Sequence, residues 1–519
     1  MGFAHPPFHL LVPSFVALVP LIVWLEELPD TAESYRQARI GGFFFGLVYY
    51  TLVFHWLLVA LIFYTWMALF AFLAPIIILS FFMSGMVTAV HSVRVRLRWP
   101  IWAVFPIFWT ANEWLRASLP QIAFPWMQLG DTLTNYPWLI GAADLVGSRG
   151  LSLWLALINT LVALGFLAYR SGRIGQLLRP ALALALTFTL AIGYSLIRSR
   201  NLELRPVASV GVVQPNVPQH IKIEDPAVAT DSALRASETL VRPWIEEKSL
   251  DLVLFPETML QVYLDPIPSL GFTGSPAADY WVTSLAESLD ADVIVGALGV
   301  KNQLNADFVP FNSAFHFQPE QGRVSQYDKR FLVPMVERVP FIPPEWLAGI
   351  PYMSGSFGVG DLVLPIEIDT ERGQAAFGTM ICYESIFSPL ARHYRRNGAD
   401  FLVNITNDSW FGREVWWSRS SGLSQHPAHL VMRAIETRMG VARSSNTGIS
   451  EIVDPLGRVS HETELFRSAA FVADVYTTDV ETLFVKYGDV VGTGAMIAAI
   501  FALCVSSLAA RKSDDGVEV

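Results

Sequence analysis

The sequence is poor in charge and almost without cysteine. Charged residues make up 16% of its 519 residues, and hydrophobic residues 52%. Soluble globular chains carry roughly 25% charge, so at least part of this chain belongs in a membrane. Net charge is −10. With no basic stripe interleaved with aromatics, nucleic acid is excluded as a partner. The opening "MGFAHPPFHLL" lacks a charged n-region and a cleavage site, so it is not read as a signal peptide. Pro6 also breaks the myristoylation pattern. Two cysteines, Cys382 and Cys504, exclude a disulfide framework.

What is abundant is apolar sequence, unevenly spread. A helix needs about 20 apolar residues to cross about 30 Å of hydrocarbon. That rule places spans near 9–25, 41–60, 64–88, 100–117, 150–169, 180–197 and 490–510. The run 41–90 hides its internal loop. The segment 118–149 is apolar but broken by Pro and Gly, and reads as an interfacial or re-entrant loop. The expected organisation is a helical membrane domain over 1–200, an α/β domain over 205–482, and a last helix with a short tail over 488–512.

Basic loops set orientation. Arg94, Arg96 and Arg98, then Arg170, Arg173 and Arg179, then Arg511 and Lys512 mark the cytoplasmic side. The α/β domain is then expected to face out, although "RSRNLELR" (197–205) is basic too. The count puts the N-terminus outside, so either the number of spans is odd or a helix lies upstream. Cys504 falls in the last span and Cys382 in the outward domain, where they cannot pair.

The outer domain alternates strand and helix signals. Runs rich in Val, Ile and Phe at 207–216, 250–259, 291–299, 312–318, 374–384, 399–408, 448–457 and 469–476 read as strands. Helical periodicity marks 229–249, 278–290, 384–398 and 426–440. Alternation of this kind argues a layered α/β domain.

Three strand-end segments carry chemistry. "LFPETM" holds Glu257 just past a buried strand, "YDKRFLVPMVERVPF" holds Lys329 and Glu337, and "ICYES" holds Cys382 and Glu384. A thiolate nucleophile needs a base, and a carboxylate serves. A developing oxyanion needs a cation or N–H donors, and a lysine serves. Each residue also has a plain structural reading. Cys382 is a small hydrophobe, Glu257 a helix-start carboxylate, Lys329 a solvated loop charge, and Glu337 with Glu384 a set of paired charges. The order Glu, Lys, Cys with these flanks is what is specific.

On those residues the chain resembles the nitrilase superfamily, with its Glu-Lys-Cys triad on an α-β-β-α sandwich. With apolar spans on both sides it is similar to the apolipoprotein N-acyltransferase family, the membrane-embedded branch. The resemblance also rests on "FPWMQLG" (124–130), "VVQPNVPQ" (212–219), "ITNDSWFG" (405–412), "MRAIETR" (432–438) and "RSSNTGIS" (443–450). It implies Glu257 as general base, Lys329 as oxyanion stabiliser and Cys382 as nucleophile. Glu337 supports the lysine, Tyr383 and Glu384 shape the pocket, and Trp410 and Phe411 sit on a mobile rim. Ile223, where the family often has an aromatic, and "LVPMVE" in place of "LVPFGE" are departures.

The resemblance further implies two-step chemistry without cofactor or metal. An acyl chain passes from a phospholipid through a Cys382 thioester to the α-amino group of a diacylglyceryl-cysteine apolipoprotein. The expected setting is a monomer in the bacterial inner membrane, its catalytic domain toward the periplasm. His426 and His429 in "HPAH" read as a helix-start feature, and "SGSFGVG" (354–360) as a loop. A membrane-tethered amidase, a scaffold with an inactive nitrilase domain, and a transporter are the competing classes. Few ionisable residues fall in the spans, which argues against a transporter. Glu113 is the exception, without an account from sequence.

Overall fold

A computed structural model describes residues 2–63, 68–247, 249–302, 308–343, 346 and 357–515. The chain forms two compact units. One holds Met1–Asn201, Ser420–Ala428 and Thr482–Val519; the other holds Leu202–Arg419 and His429–Glu481.

The first unit opens with α1 (Leu11–Val16), α2 (Val19–Glu27), α3 (Ala32–Leu61), α4 (Ala68–Leu97), α5 (Ile101–Ser118), α6 (Ala143–Arg170) and α7 (Leu178–Asn201). The span expected at 9–25 is two short helices instead. Pro20, at the second position of α2, has no N–H to carry the ladder on from α1, and the Leu18 N–H is taken by Asn159 Oδ1 at 2.9 Å. The hidden loop of the run 41–90 falls between α3 and α4, and residues 64–67 lie outside the described residues. Within α6, Gly147 has φ of +67°, so the regular helix begins near the expected residue 150.

The segment 118–149 does not span. Residues 126–134 are all buried, around a short 3₁₀ turn at Leu129–Leu133. Irregular backbone in such a place must find internal partners. Glu113, unexplained by sequence, supplies one: its Oε1 accepts from Leu129 N–H (2.8 Å) and from Trp109 Nε1 (3.1 Å). Gly130 N–H donates to Ser152 Oγ (2.9 Å).

The second unit is a two-sheet α/β sandwich. Its strands are β1 (Arg205–Gln214), β2 (Leu252–Leu254), β3 (Leu260–Tyr263), β4 (Asp292–Asn302), β5 (Phe308–Gln318), β6 (Gly322–Asp328), β7 (Ile366–Thr370), β8 (Gly373–Ile381), β9 (Phe401–Thr406), β10 (Gly440–Ser445), β11 (Glu451–Val453), β12 (Val459–Ser460) and β13 (Ala469–Thr477). The first sheet runs β13-β1-β2-β4-β5-β6 with β3 beside β4; the second runs β12-β11-β10-β9-β8-β7. The central strands are parallel: β1, β2 and β4 in one sheet, β8, β9 and β10 in the other. Parallel strands are covered on both faces, and all six residues of β9 are buried. Strand β1 packs on β10, joining the sheets face to face.

Helices α8 (Gln219–Glu224), α9 (Pro226–Glu247), α10 (Pro276–Leu289), α11 (Ser388–Arg396) and α12 (Gly422–Thr437) follow in order. Helix α9 lies on β1 and β3, α10 on β5 and β6, and α11 on β8. The result is the expected α-β-β-α layering. Phe255, Phe315 and Phe317 are fully buried in the core beneath α9 and α10. Truncating such a ring to Ala costs about 3–5 kcal/mol. After α12 the chain returns to the first unit with α13 (Leu483–Tyr487) and α14 (Val490–Asp515). Among the described residues, five helical stretches are long and apolar enough to cross a membrane: Ala32–Leu61, Ala68–Leu97, Ala143–Arg170, Ile174–Asn201 and Val490–Ala510.

Candidate active site

Lys329 follows β6 directly, and its backbone N–H donates to the Asn312 carbonyl on β5 (2.8 Å). Its side chain turns inward and is 1% exposed. The ammonium meets Glu337 Oε1 at 2.8 Å and Glu257 Oε1 at 3.2 Å. Asn312 Nδ2 donates to both carboxylates, at 2.7 Å to Glu257 and 3.0 Å to Glu337. The remaining oxygens are also held. Asn407 N–H donates to Glu257 Oε2 and Val333 N–H to Glu337 Oε2, each at 2.8 Å.

Glu257 sits just past β2. Burial alone would raise its pKa. The Lys329 charge and the bonds from Asn312 and Asn407 outweigh that and hold it below the ordinary carboxylate value. Lys329 shows the mirror case. Burial would lower it, but Glu257, Glu337 and Cys382 keep it well above an ordinary lysine. The neighbouring carboxylates thus favour the charged ammonium despite its burial.

Cys382 follows β8 directly, opening a 3₁₀ turn at Cys382–Ile386, and has φ of +51°. A non-glycine residue in the left-handed region is held there by its surroundings, often for function. The thiol feels Glu257, Lys329 and Asp408. Burial, then the Glu257 charge, push its pKa up, while Lys329 and a hydrogen bond from Thr406 favour the thiolate. Thr406 Oγ1 also donates to Asp408 Oδ1 (2.9 Å). The Thr406 hydroxyl is thus within reach of both Asp408 and the sulfur, and its single proton can serve only one of them at a time. Asp408 is fixed by the fully buried Arg443, whose Nη2 donates to Asp408 Oδ2 (2.6 Å) and whose Nη1 donates to Asn404 Oδ1.

Glu384 joins the two halves of the site. Its Oε1 accepts from Tyr327 OH (2.8 Å), Arg330 N–H (2.7 Å) and Phe331 N–H (3.1 Å), and its Oε2 accepts from Ile381 N–H (2.7 Å). One carboxylate thus ties the backbone after Lys329 to the turn before Cys382. Burial pushes its pKa up to about 7 against these donors. Tyr383 is buried with its ring edge-on to Phe387 at 5.2 Å. Trp410 and Phe411 close a 3₁₀ turn at Asp408–Phe411, half-buried at the end of β9. Beyond them Trp416 and Trp417 are 80% and 61% exposed.

The fold therefore brings Glu257, Lys329, Cys382 and Glu337 into one buried centre, with Glu384 behind it. Sequence reading missed Asn312, Thr406, Asp408 and Arg443, though the last three fall in quoted motifs. One minor reading changes. His426 lies in the second turn of α12, which starts at Gly422, and its ring stacks on Trp126 at 5.6 Å. Of the glycine-rich stretch, 354–356 lie outside the described residues. The rest is anchored, with Phe357 N–H on Glu337 O and Gly360 N–H on Lys329 O. A Cβ at Gly360 would collide with the Asp328 carbonyl, which explains the glycine. Among the described residues, no cluster of three His, Cys, Asp or Glu could hold a metal.

Residues 1–161 match the family model for the apolipoprotein N-acyltransferase N-terminal domain, and residues 208–482 match that for carbon-nitrogen hydrolase. An apolipoprotein N-acyltransferase of Geobacter metallireducens is 32% identical over 406 residues, covering 76% of this chain and 73% of the relative. The chain belongs to the apolipoprotein N-acyltransferase family. Another member, from Chlorobaculum tepidum, is 28% identical over 527 residues, covering 95% of this chain and 93% of its own. Among solved structures, Saccharomyces cerevisiae Nit3, a member of branch 10 of the nitrilase superfamily, aligns at 18% identity and a TM-score of 0.38. That match covers 52% of this chain and 91% of Nit3.

Proposed function

We propose that this chain N-acylates lipoproteins by a two-step transfer through Cys382. The observation that carries the proposal is the buried Lys329 ammonium set between Glu257 and Glu337, beside a cysteine whose backbone is locked at positive φ. In the first step Glu257 takes the thiol proton as sulfur attacks the ester carbonyl of a phospholipid. Lys329 stabilises the oxyanion. The C–O ester bond breaks, the lysophospholipid oxygen takes the proton from Glu257, and a thioester remains. In the second step the α-amino group of a diacylglyceryl-cysteine attacks that thioester. Glu257 accepts the ammonium proton, the C–S bond breaks, and the thiolate recovers its proton from Glu257.

A free cysteine is only a few per cent thiolate at neutral pH, and burial here lowers that fraction further. The resting thiol is therefore quiet, and ionisation is coupled to proton transfer onto Glu257. Both substrates are lipids, which fits a catalytic unit in a chain with several bilayer-length helices. In this reading the protein acts as a monomer in the bacterial inner membrane, with the α/β unit on the periplasmic side and no cofactor.

The test is transfer in reconstituted vesicles with acyl-labelled phospholipid and a diacylglyceryl-cysteine peptide. The reading expects N-acyl peptide and lysophospholipid in equal amounts. Release of free fatty acid to water at the same rate, with no acylated peptide, would instead support a tethered hydrolase.

A further inference from the structure

The mechanism uses one lysine, but a second is buried against the turn that carries Glu257. Lys222 on α8 is 4% exposed, although lysines are almost never buried without a purpose or a partner. Its Nζ donates to the Thr258 carbonyl at 2.9 Å and approaches Thr258 Oγ1 at 3.5 Å. Thr258 is the residue after Glu257, and its φ is +45°. For a β-branched residue that conformation is a genuine outlier. Strain of this kind persists only where the surroundings over-determine it.

The turn is gripped from two sides. On one side β4 runs so close that a Cβ at Gly296 would lie 2.5 Å from the Pro256 carbonyl oxygen, 2.5 Å from Thr258 N and 2.7 Å from Glu257 Cα. On the other side the Thr258 carbonyl accepts from Lys222 and from Gln261 Nε2, the latter at 2.9 Å. The carboxylate of Glu257 is fixed at its far end by Lys329, Asn312 and Asn407. Lys222 and Gly296 fix its backbone.

We infer that Lys222 is a positioning residue: its buried ammonium holds the Thr258 carbonyl, and so the strained Pro256–Glu257–Thr258 turn, in the conformation that aims the Glu257 carboxylate at the Cys382 thiol. Burial lowers its pKa to about 8 while the Glu257 charge opposes the shift, so it stays mostly protonated at neutral pH. It also supplies charge balance. Glu257 and Glu337 bring two negative charges to a buried centre where Lys329 brings one positive charge, and Lys222 brings the second.

This inference rests on the acyl-enzyme reading above, and its test separates the two. The full-length protein is placed in phosphatidylethanolamine–phosphatidylglycerol vesicles without acceptor. Acyl adduct on Cys382 is followed by mass in a single turnover. Rate constant reports on the aim of the base, whereas amplitude reports on the folded fraction. Lys222→Met is expected to slow the rate constant about 10- to 100-fold, the size of effect that follows a misplaced reacting group. The amplitude is expected to hold. Thr258→Gly relieves the positive φ, because glycine adopts it freely. Against the Thr258→Gly baseline, adding Lys222→Met is expected to lose much less rate than it does in the wild type.

Wild-type rate in Lys222→Met, loss of amplitude at an unchanged rate constant, or an equal loss in both backgrounds would each overturn the inference. If Lys222→Met alone fails to insert, the double variant decides. Recovered insertion and acylation support the role, and continued failure overturns it. Absence of adduct in the wild type would instead overturn the acyl-enzyme reading itself.

Discussion

The Lys329 ammonium lies nearer to Glu337 Oε1, at 2.8 Å, than to Glu257 Oε1, at 3.2 Å. Glu337, not the proposed general base Glu257, is its nearer partner. Both carboxylates hold the lysine in its charged form. Asn312 bonds to both carboxylates and keeps them apart.

Lys329→Met removes the one cation between two buried carboxylates. Breaking a buried pair in this way costs about 3–5 kcal/mol of stability. Loss of an oxyanion donor slows acylation about 10²- to 10³-fold. The double variant Lys329→Met/Glu337→Gln is expected to recover much of the melting temperature and none of the acylation rate. Recovery of rate in the double variant would remove Lys329 from the chemistry.

Cys382→Ser keeps the shape and loses the nucleophile. A serine hydroxyl is far weaker at its ordinary pKa, and burial with the nearby Glu257 charge penalises its anion further. Transfer to a diacylglyceryl peptide is expected to fall to background while the thermal midpoint stays close to wild type. Near-normal turnover would contradict a thioester.

Thr406→Val deletes the hydroxyl within reach of both Asp408 and the Cys382 sulfur. A hydrogen bond to a charged group is worth about 1.5–3 kcal/mol, or about 10- to 100-fold in acylation. The second, deacylating step starts from a thioester without that charge, so it is expected to change less. Single-turnover rates for the two steps check this, and equal losses in both would contradict it.

Glu384 makes stability depend on pH with a definite sign. Its carboxyl titrates at about 7 in the fold against 4.5 as the ordinary value. Between those values the folded state holds a proton that the unfolded state has lost. Stability from this group is therefore full below pH 4.5, falls as pH rises to about 7, and is flat above. Glu384→Gln is expected to flatten that part of the curve in denaturation measured from pH 4.5 to 8. Parallel curves for the two proteins would show that Glu384 stays ionised throughout.

Much of this was legible in the sequence, for physical reasons. Strands buried on both faces, such as β2 and β9, read as unbroken apolar runs. Lys329 and Cys382 stand out because each follows directly on a strand, and Glu257 because it lies three residues past β2. Strand β10 escaped because its buried residues include Arg443, Ser444 and Ser445, which break the apolar pattern while serving a polar network. Helix α11 starts at Ser388, later than periodicity indicated, because residues 382–386 are spent on the 3₁₀ turn that holds Cys382. Residues 9–25 have the composition of a span but carry two prolines. Asn312, Thr406 and Lys222 act through partners distant in the chain, which no local pattern encodes.

The most direct test is the intact mass of the protein after incubation with phospholipid vesicles and no acceptor. The account predicts a gain of one fatty acyl group, removed by hydroxylamine and absent from Cys382→Ala. An unchanged mass on the millisecond-to-minute scale, while N-acylated peptide still forms when acceptor is added, would contradict a covalent intermediate on Cys382.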